Sequence, residues 1–114
     1  MKHRTKQFAL AVIEVIEFLT NSASAKVISH QLTKAATFVG ANYRAVCRTI
    51  SDDEFISKLQ IALEEADETC YWLELIQAKC WVDVSNQLQG ANVLKAIFVS
   101  SLKTIKSRIK NSSK

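Results

Sequence analysis

Apolar and small residues recur along much of the chain at alternating steps of four and three, the spacing of one face of an α-helix. The longest stripe comprises Phe55, Leu59, Ala62, Ala66, Thr69, Leu73, Ile76 and Cys80. An earlier stripe comprises Ile28, Leu32, Ala35, Val39, Asn42, Val46 and Thr49, and a later one Leu94, Ile97, Phe98, Leu102, Ile105 and Ile109. Stripes of this length are typical of helices packed side by side in an antiparallel bundle.

Signals between these stripes divide the chain into four helices. The chain has no proline and two glycines, which favours long helices joined by short turns. Ser51, three residues before Glu54, predicts a capping box that opens the third helix. The predicted helices span about residues 4–19, 24–49, 52–80 and 85–110. Because short connections make neighbouring helices antiparallel, we predict an all-α, up-down-up-down four-helix bundle formed by residues 1–114 as one domain.

The first helix begins like a secretory signal, with Lys2 and Arg4 ahead of an apolar run from Phe8. Glu14 and Glu17 interrupt that run, and no segment is apolar for long enough to span a membrane. We therefore expect a retained amphipathic helix, no membrane association and a cytoplasmic location.

Residues that carry redox, metal or catalytic chemistry are few. Cys47, Cys70 and Cys80 are odd in number and form no CxxC pair, and Cys70 and Cys80 fall at or near core-facing positions. We expect them to be small buried apolar residues. No Glu-x-x-His motif, which a di-metal bundle site requires, accompanies the acidic residues Glu64, Glu65, Asp67 and Glu68. His30 lies one helical turn from two lysines. We predict no metal, no cofactor and no enzymatic activity.

The formal net charge of +4 conceals a separation of charge along the predicted bundle. The starts of helices one and three and the ends of helices two and four lie together at one end, which we call the basic pole. Its basic residues are Lys2, Arg4, Lys6, Arg44, Arg48, Lys103, Lys106, Arg108, Lys110 and Lys114. Only residues 52–54 are acidic there. This pattern predicts a surface that binds RNA or DNA phosphates. The alternative is solvated helix faces whose cations complement helix C-terminal dipoles.

Two polar residues fall on the predicted core stripes. Asn42 lies on the stripe of helix two and Thr69 on that of helix three, with Gln31 roughly opposite Thr69. Because buried polar groups need hydrogen-bond partners, we predict that the three form a structural network that fixes the register of the helices.

Helix one is apolar around more than half of its circumference between Phe8 and Leu19. A four-helix monomer buries only one stripe of each helix, so the surplus predicts a subunit interface, with Ile13 and Ile16 at its centre. The alternative is a helix inserted deeply into a monomer.

Two stretches resemble a known family. They are QLTKAATFVGANYRAV (residues 31–46) and EFISKLQIALEEADETCYWLEL (residues 54–75). They are similar to the four-helix-bundle proteins encoded in intervening sequences of 23S ribosomal RNA, a family that includes accessory proteins of diversity-generating retroelements. The matching residues are Gly40, Asn42, Tyr43, Arg44, Phe55, Lys58, Leu59, Ala62, Glu65, Ala66, Glu68, Thr69, Trp72 and Leu73. Where family members often carry an acid after tyrosine-arginine, this chain has Ala45, which makes the local surface more basic.

The resemblance implies a four-helix bundle that can assemble into a homopentamer. In retroelement members it also implies a partner role beside a reverse transcriptase and nucleic-acid binding through a basic surface. Our first hypothesis is therefore a non-enzymatic, nucleic-acid-binding accessory protein. The second is a structural or protein-interaction homo-oligomer encoded in a ribosomal-RNA intervening sequence.

Overall fold

The computed structural model describes residues 1–112, which form four α-helices and, within that range, no β-strand. The helices are α1 Lys2–Ile16, α2 Ala23–Val46, α3 Asp52–Ala78 and α4 Ser85–Ser112. The predicted all-α fold is confirmed, and each predicted helix end lies within three residues of the observed one. Within the described range, none of the helices is both long enough and apolar enough to cross a lipid bilayer.

Contacts between α3 and α4 show that the two helices run in opposite directions. Near the middle, Lys95 Nζ lies 2.7 Å from Asp67 Oδ1, and at the start of α3 Arg108 lies 3.5 Å from Asp52. The α4 residue number therefore rises as the α3 number falls. All four helices lie along a rod whose Cα atoms extend 57 × 22 × 22 Å, as expected when short links reverse the chain at each end.

The predicted stripes form the core. Every stripe residue of α3 from Leu59 to Ile76 is buried, because its spacing keeps it facing the other helices. The largest fully buried side chains include Val12, Leu32, Val39, Leu59, Leu73, Ile76, Leu94 and Phe98. Phe55 and Ile28, nearer the helix ends, are half-buried. Burial of these apolar side chains stabilises the fold.

Cys80 does not continue the α3 stripe, contrary to the prediction, because α3 ends in a left-handed turn. Cys80 has φ 56°. Its N–H donates to the Gln77 carbonyl at 3.1 Å, and the N–H of Trp81 donates to the Ile76 carbonyl at 3.4 Å. This pair of bonds is a Schellman motif, which satisfies the last carbonyls of a helix and turns the chain away from its axis. Of the two cysteines predicted to be buried, Cys70 is buried and Cys80 is exposed; Cys47 is exposed as well.

The predicted polar network between helices does not form. Asn42 Nδ2 donates to the Phe38 carbonyl at 2.8 Å, and Thr69 Oγ1 donates to the Glu65 carbonyl at 2.7 Å. Both acceptors lie one turn earlier in the same helix, a local bond that these residue types readily make. Within residues 1–112, no hydrogen bond joins Gln31, Asn42 and Thr69 to one another. These three residues therefore do not fix the register of the helices.

The side-chain cap of α3 gives a testable contribution to stability. Ser51 Oγ accepts a hydrogen bond from the Glu54 N–H at 3.2 Å. We expect Ser51→Ala to lower the free energy of unfolding by about 1 kcal/mol, because a helix N–H loses its partner. Urea denaturation measures the loss. Ser57→Ala, an exposed change inside the same helix, is the control and is expected to leave stability unchanged or slightly higher. Equal effects of the two changes would contradict the capping role.

Candidate nucleic-acid interface

One group of cations lies in a cleft between α1 and α2. Lys2, Lys6 and Arg44 line it together with Thr5 and Gly40, and its volume is about 230 Å³. Lys2 and Lys6 are four residues apart and so share the α2-facing side of α1. Thr5 is buried, and its Oγ1 donates to the Lys2 carbonyl at 3.0 Å. The sequence pattern did not predict this burial, because threonine is most often exposed.

A second group lies on the last turns of α4. Lys103, Lys106 and Lys110 are all exposed, and their spacing of three and four places them on one face. Lys103 and Arg108 line a shallow depression of about 610 Å³ together with Thr104, Ser107 and Asn111. Residues 84–112 contain no acidic residue. This face therefore concentrates positive charge.

The other predicted cations lie outside these two groups. Arg4 is on the opposite side of α1 from Lys2 and lines a cleft with Phe8 of the same helix and with Gly90 and Leu94 of α4. Arg48 is exposed in the link between α2 and α3. Lys114 lies outside the described residues. Within residues 1–112, the nine predicted cations thus form two groups and two separate charges, Arg4 and Arg48.

The start of α3 supplies the opposing charge at the basic pole. Asp52 and Arg108 form an ion pair at 3.5 Å in which both side chains are more than half exposed. Exposed pairs of this kind contribute little to stability, on the order of 0–1 kcal/mol. The pair nevertheless holds a carboxylate next to Arg108, where it reduces the local positive potential.

α1 covers only part of α4. The two helices meet closely at Gly90, where an added Cβ atom would lie 3.3 Å from Phe8 Cδ1. α1 begins at Lys2, while α4 continues from Leu94 to Ser112. Because the helices are antiparallel, about 25 Å of α4 extends past the start of α1 at 1.5 Å rise per residue. The fourth side of the bundle is therefore open at the basic pole. The prediction that the start of helix one meets the end of helix four at one end is wrong, because α1 begins beside the middle of α4.

This opening is a groove of about 720 Å³, which we call the pole groove. Its α4 wall includes Ser101, Ile105 and Arg108, which continue the side of α4 that α1 covers elsewhere. The opposite wall includes Ile50, in the link between α2 and α3, and Phe55. Ile50 is 96% exposed. This groove was not predicted from the sequence, although the predicted helix lengths already made helix one much shorter than helix four.

The most perturbed acids and thiols lie away from the basic pole. Burial raises the pKa of Glu65, and the neighbouring Glu68 raises it further, while Lys34 opposes both. Burial also raises the pKa of the Cys70 thiol, whose Sγ donates to Asn92 Oδ1 at 3.7 Å. Residues 1–112 contain no cluster of histidine, cysteine or carboxylate side chains that could hold a metal ion. Glu65 and Cys70 thus lie apart from the charged surface of the pole.

Residues 1–99 match the model of the 23S rRNA-intervening sequence protein family. The chain belongs to this family. The resemblance noted in the two sequence stretches is thereby confirmed at the level of the family. The matched range ends before Lys103, so the basic face of α4 lies beyond it.

A solved structure supports the same fold. The crystal structure of a protein of unknown function from the S23 ribosomal protein family of Bacteroides thetaiotaomicron aligns with a TM-score of 0.82 and 31% sequence identity. The alignment covers 90% of this chain and 97% of that chain. No curated protein sequence is significantly similar to the chain.

Proposed function

We propose that this member of the 23S rRNA-intervening sequence family is a non-enzymatic protein that binds RNA or DNA through its basic pole. The supporting observation is the exposed, acid-free face of α4 with Lys103, Lys106 and Lys110. The cleft with Lys2 and Arg44 adds a second cationic surface at the start of α1. Each phosphate bound there releases condensed counterions, which gives affinity that is sensitive to salt and independent of sequence.

The finer role that we propose is that of an accessory protein to a reverse transcriptase. Its support is the resemblance of residues 31–46 and 54–75 to a family that includes accessory proteins of diversity-generating retroelements. A protein that holds nucleic acid by its backbone would serve such an enzyme by presenting a template without selecting its sequence.

Fluorescence anisotropy with a labelled RNA and a DNA of the same sequence tests the binding proposal. We expect affinity for both, with log K falling linearly against log salt at a slope of about −0.9 per phosphate neutralised on a duplex, or about −0.7 on a single strand. A protein that binds neither probe at about 50 mM salt, where such contacts are strongest, would refute the proposal.

A structural or protein-interaction homo-oligomer is the second candidate, favoured by apolar side chains that the single chain leaves exposed. On and after α1 these are Leu10, 43% exposed, and Phe18, 76% exposed; on α2 they are Val27, 61%, and Phe38, 42%. Ile13 and Ile16, the predicted interface residues, are half-buried, and Ile16 packs against the core of its own chain. Because Ile16 packs inward, the outward-facing apolar positions of α1 are Leu10 and Ile13. The resemblance implies five subunits.

A charge on α1 tests this candidate. We expect Leu10→Glu and Ile13→Glu to release monomers that keep their helix content, because a carboxylate stranded in an interface costs several kcal/mol. Size exclusion with light scattering gives the mass, and circular dichroism gives the helix content. Val99→Glu, at an apolar position of α4 that is 38% exposed, is the control. A wild-type chain that runs near 12.8 kDa at micromolar concentration would rule out the interface.

A further inference from the structure

The lining of the pole groove combines hydroxyl groups with large apolar side chains. Of the ten residues around it, five carry hydroxyl groups, and three, Ile50, Phe55 and Ile105, are large and apolar. Its volume of about 720 Å³ lies within the range of roughly 300–1,000 Å³ that is typical of pockets for small ligands.

The hydroxyl groups of the groove can serve a ligand edge that both donates and accepts hydrogen bonds. Thr49 Oγ1 donates to the Val46 carbonyl at 2.8 Å, and Thr104 Oγ1 donates to the Ser100 carbonyl at 3.0 Å. Their oxygens keep lone pairs for a further donor. Within residues 1–112, the Ser101 hydroxyl makes no hydrogen bond. It can therefore donate or accept.

The groove shares one wall with the cationic depression on α4. Thr104 and Arg108 line both, while Lys103 and Ser107 line the depression alone. A chain of phosphates that follows the depression would therefore pass along the rim of the groove. Chemical groups attached to the phosphates at short intervals would then reach the interior of the groove.

We propose that the pole groove receives an unpaired base of a single-stranded stretch of nucleic acid whose phosphates lie along Lys103 and Arg108. This deepens the proposed function and rests on it. A base has flat apolar faces, which suit Ile50 and Phe55, and polar edges, which suit the hydroxyl groups. A docked protein helix fits less well, because helix-binding grooves present a continuous apolar floor.

Three probes of equal length test the proposal in anisotropy titrations at one salt concentration: a single strand, the same strand with abasic sites, and a duplex. We expect the single strand to bind about tenfold more tightly than the abasic strand, since stacking of one base on an aromatic ring raises affinity by roughly 5-fold to 150-fold. RNA and DNA versions of each probe show whether the sugar contributes.

Two variants change the groove without changing charge. Ser101→Phe fills it, and Ile50→Ser removes an apolar wall at a position so exposed that the fold does not depend on it. We expect both to lower the single-strand affinity to or toward that of the abasic strand, with abasic binding and the salt slope unchanged. Ser57→Phe, exposed on α3, is the control for added bulk.

The outcomes distinguish the base-binding proposal from the phosphate-binding proposal on which it rests. Equal affinity for single and abasic strands, or a preference that survives both groove variants, would overturn the base-binding groove while leaving phosphate binding intact. A protein segment would then be the better occupant. A chain that binds none of the three probes would overturn both proposals.

Discussion

Phe98→Ala is expected to lower the free energy of unfolding by about 3–5 kcal/mol, the usual cost of deleting a buried aromatic side chain. Phe98 is fully buried in α4, and its ring stacks on Tyr43 of α2 with centroids 5.9 Å apart and planes at 16°. The contact crosses the bundle, so its removal leaves a cavity among several helices at once. A domain of this size has about 5–15 kcal/mol of stability in total.

The adjacent residue provides a matched control. Val99 is 38% exposed, and Val99→Ala should change stability by no more than about 0.5 kcal/mol. Chemical denaturation of both variants at one protein concentration measures the difference, since any subunit association makes stability depend on concentration. Equal, small losses would show that the α2–α4 contact is not part of a tightly packed core.

The helices were predictable because apolar spacing carries most of the information about a bundle. The stripe from Leu59 to Ile76 has one spacing throughout, and burial follows it without exception. Cys80 fits the same spacing but is exposed, since the helix ends two residues earlier in a left-handed turn. Glycine usually occupies that position, and a cysteine there gives no sequence signal that the helix has ended.

The predicted polar network between helices is wrong because two of its members form hydrogen bonds within their own helices. Asn42 and Thr69 fall on the core stripes, yet each finds a partner one turn back along its own helix. Sequence spacing places a residue on a face but does not show which carbonyl its side chain reaches. A partner on another helix was therefore an additional assumption.

The basic residues of the candidate site were predictable as a set, but their grouping was not. Lys2 and Lys6 face α2, whereas Arg4, between them in sequence, faces α4. Two residues correspond to about 200° of rotation on a helix with 3.6 residues per turn. The rotation of α1 about its own axis thus decides which cations meet Arg44. That rotation follows from the packing of Phe8 and Thr5, which the charge pattern does not reveal.

The pole groove depends on relative helix length rather than on any motif. α1 has 15 residues and α4 has 28, so antiparallel packing must leave one end of α4 uncovered. Polar residues on that uncovered side, such as Ser101 and Thr104, are compatible with solvent. The position of the α2–α3 link opposite these residues could be seen only in the folded structure.

Reversing three charges on α4 is expected to have the largest effect on nucleic-acid binding. In the triple variant Lys103→Glu, Lys106→Glu, Lys110→Glu, each change removes a phosphate contact and adds a repelling carboxylate. We expect affinity to fall by about 100-fold or more, and the salt slope for a duplex to decrease by about 2.7 if all three lysines contact phosphates. All three side chains are exposed, so helix content and unfolding should remain close to wild type.

A second triple variant separates a localised binding surface from the effect of net charge. Lys26→Glu, Lys34→Glu, Lys79→Glu changes the total charge by the same amount at exposed positions outside the basic pole. If the basic pole binds phosphate, this variant should retain most of the wild-type affinity and salt slope, apart from a weaker long-range repulsion that salt screens. Equal losses in the two variants would mean that attraction depends on total charge alone. Wild-type affinity in the α4 variant would remove the observation on which the binding proposal stands.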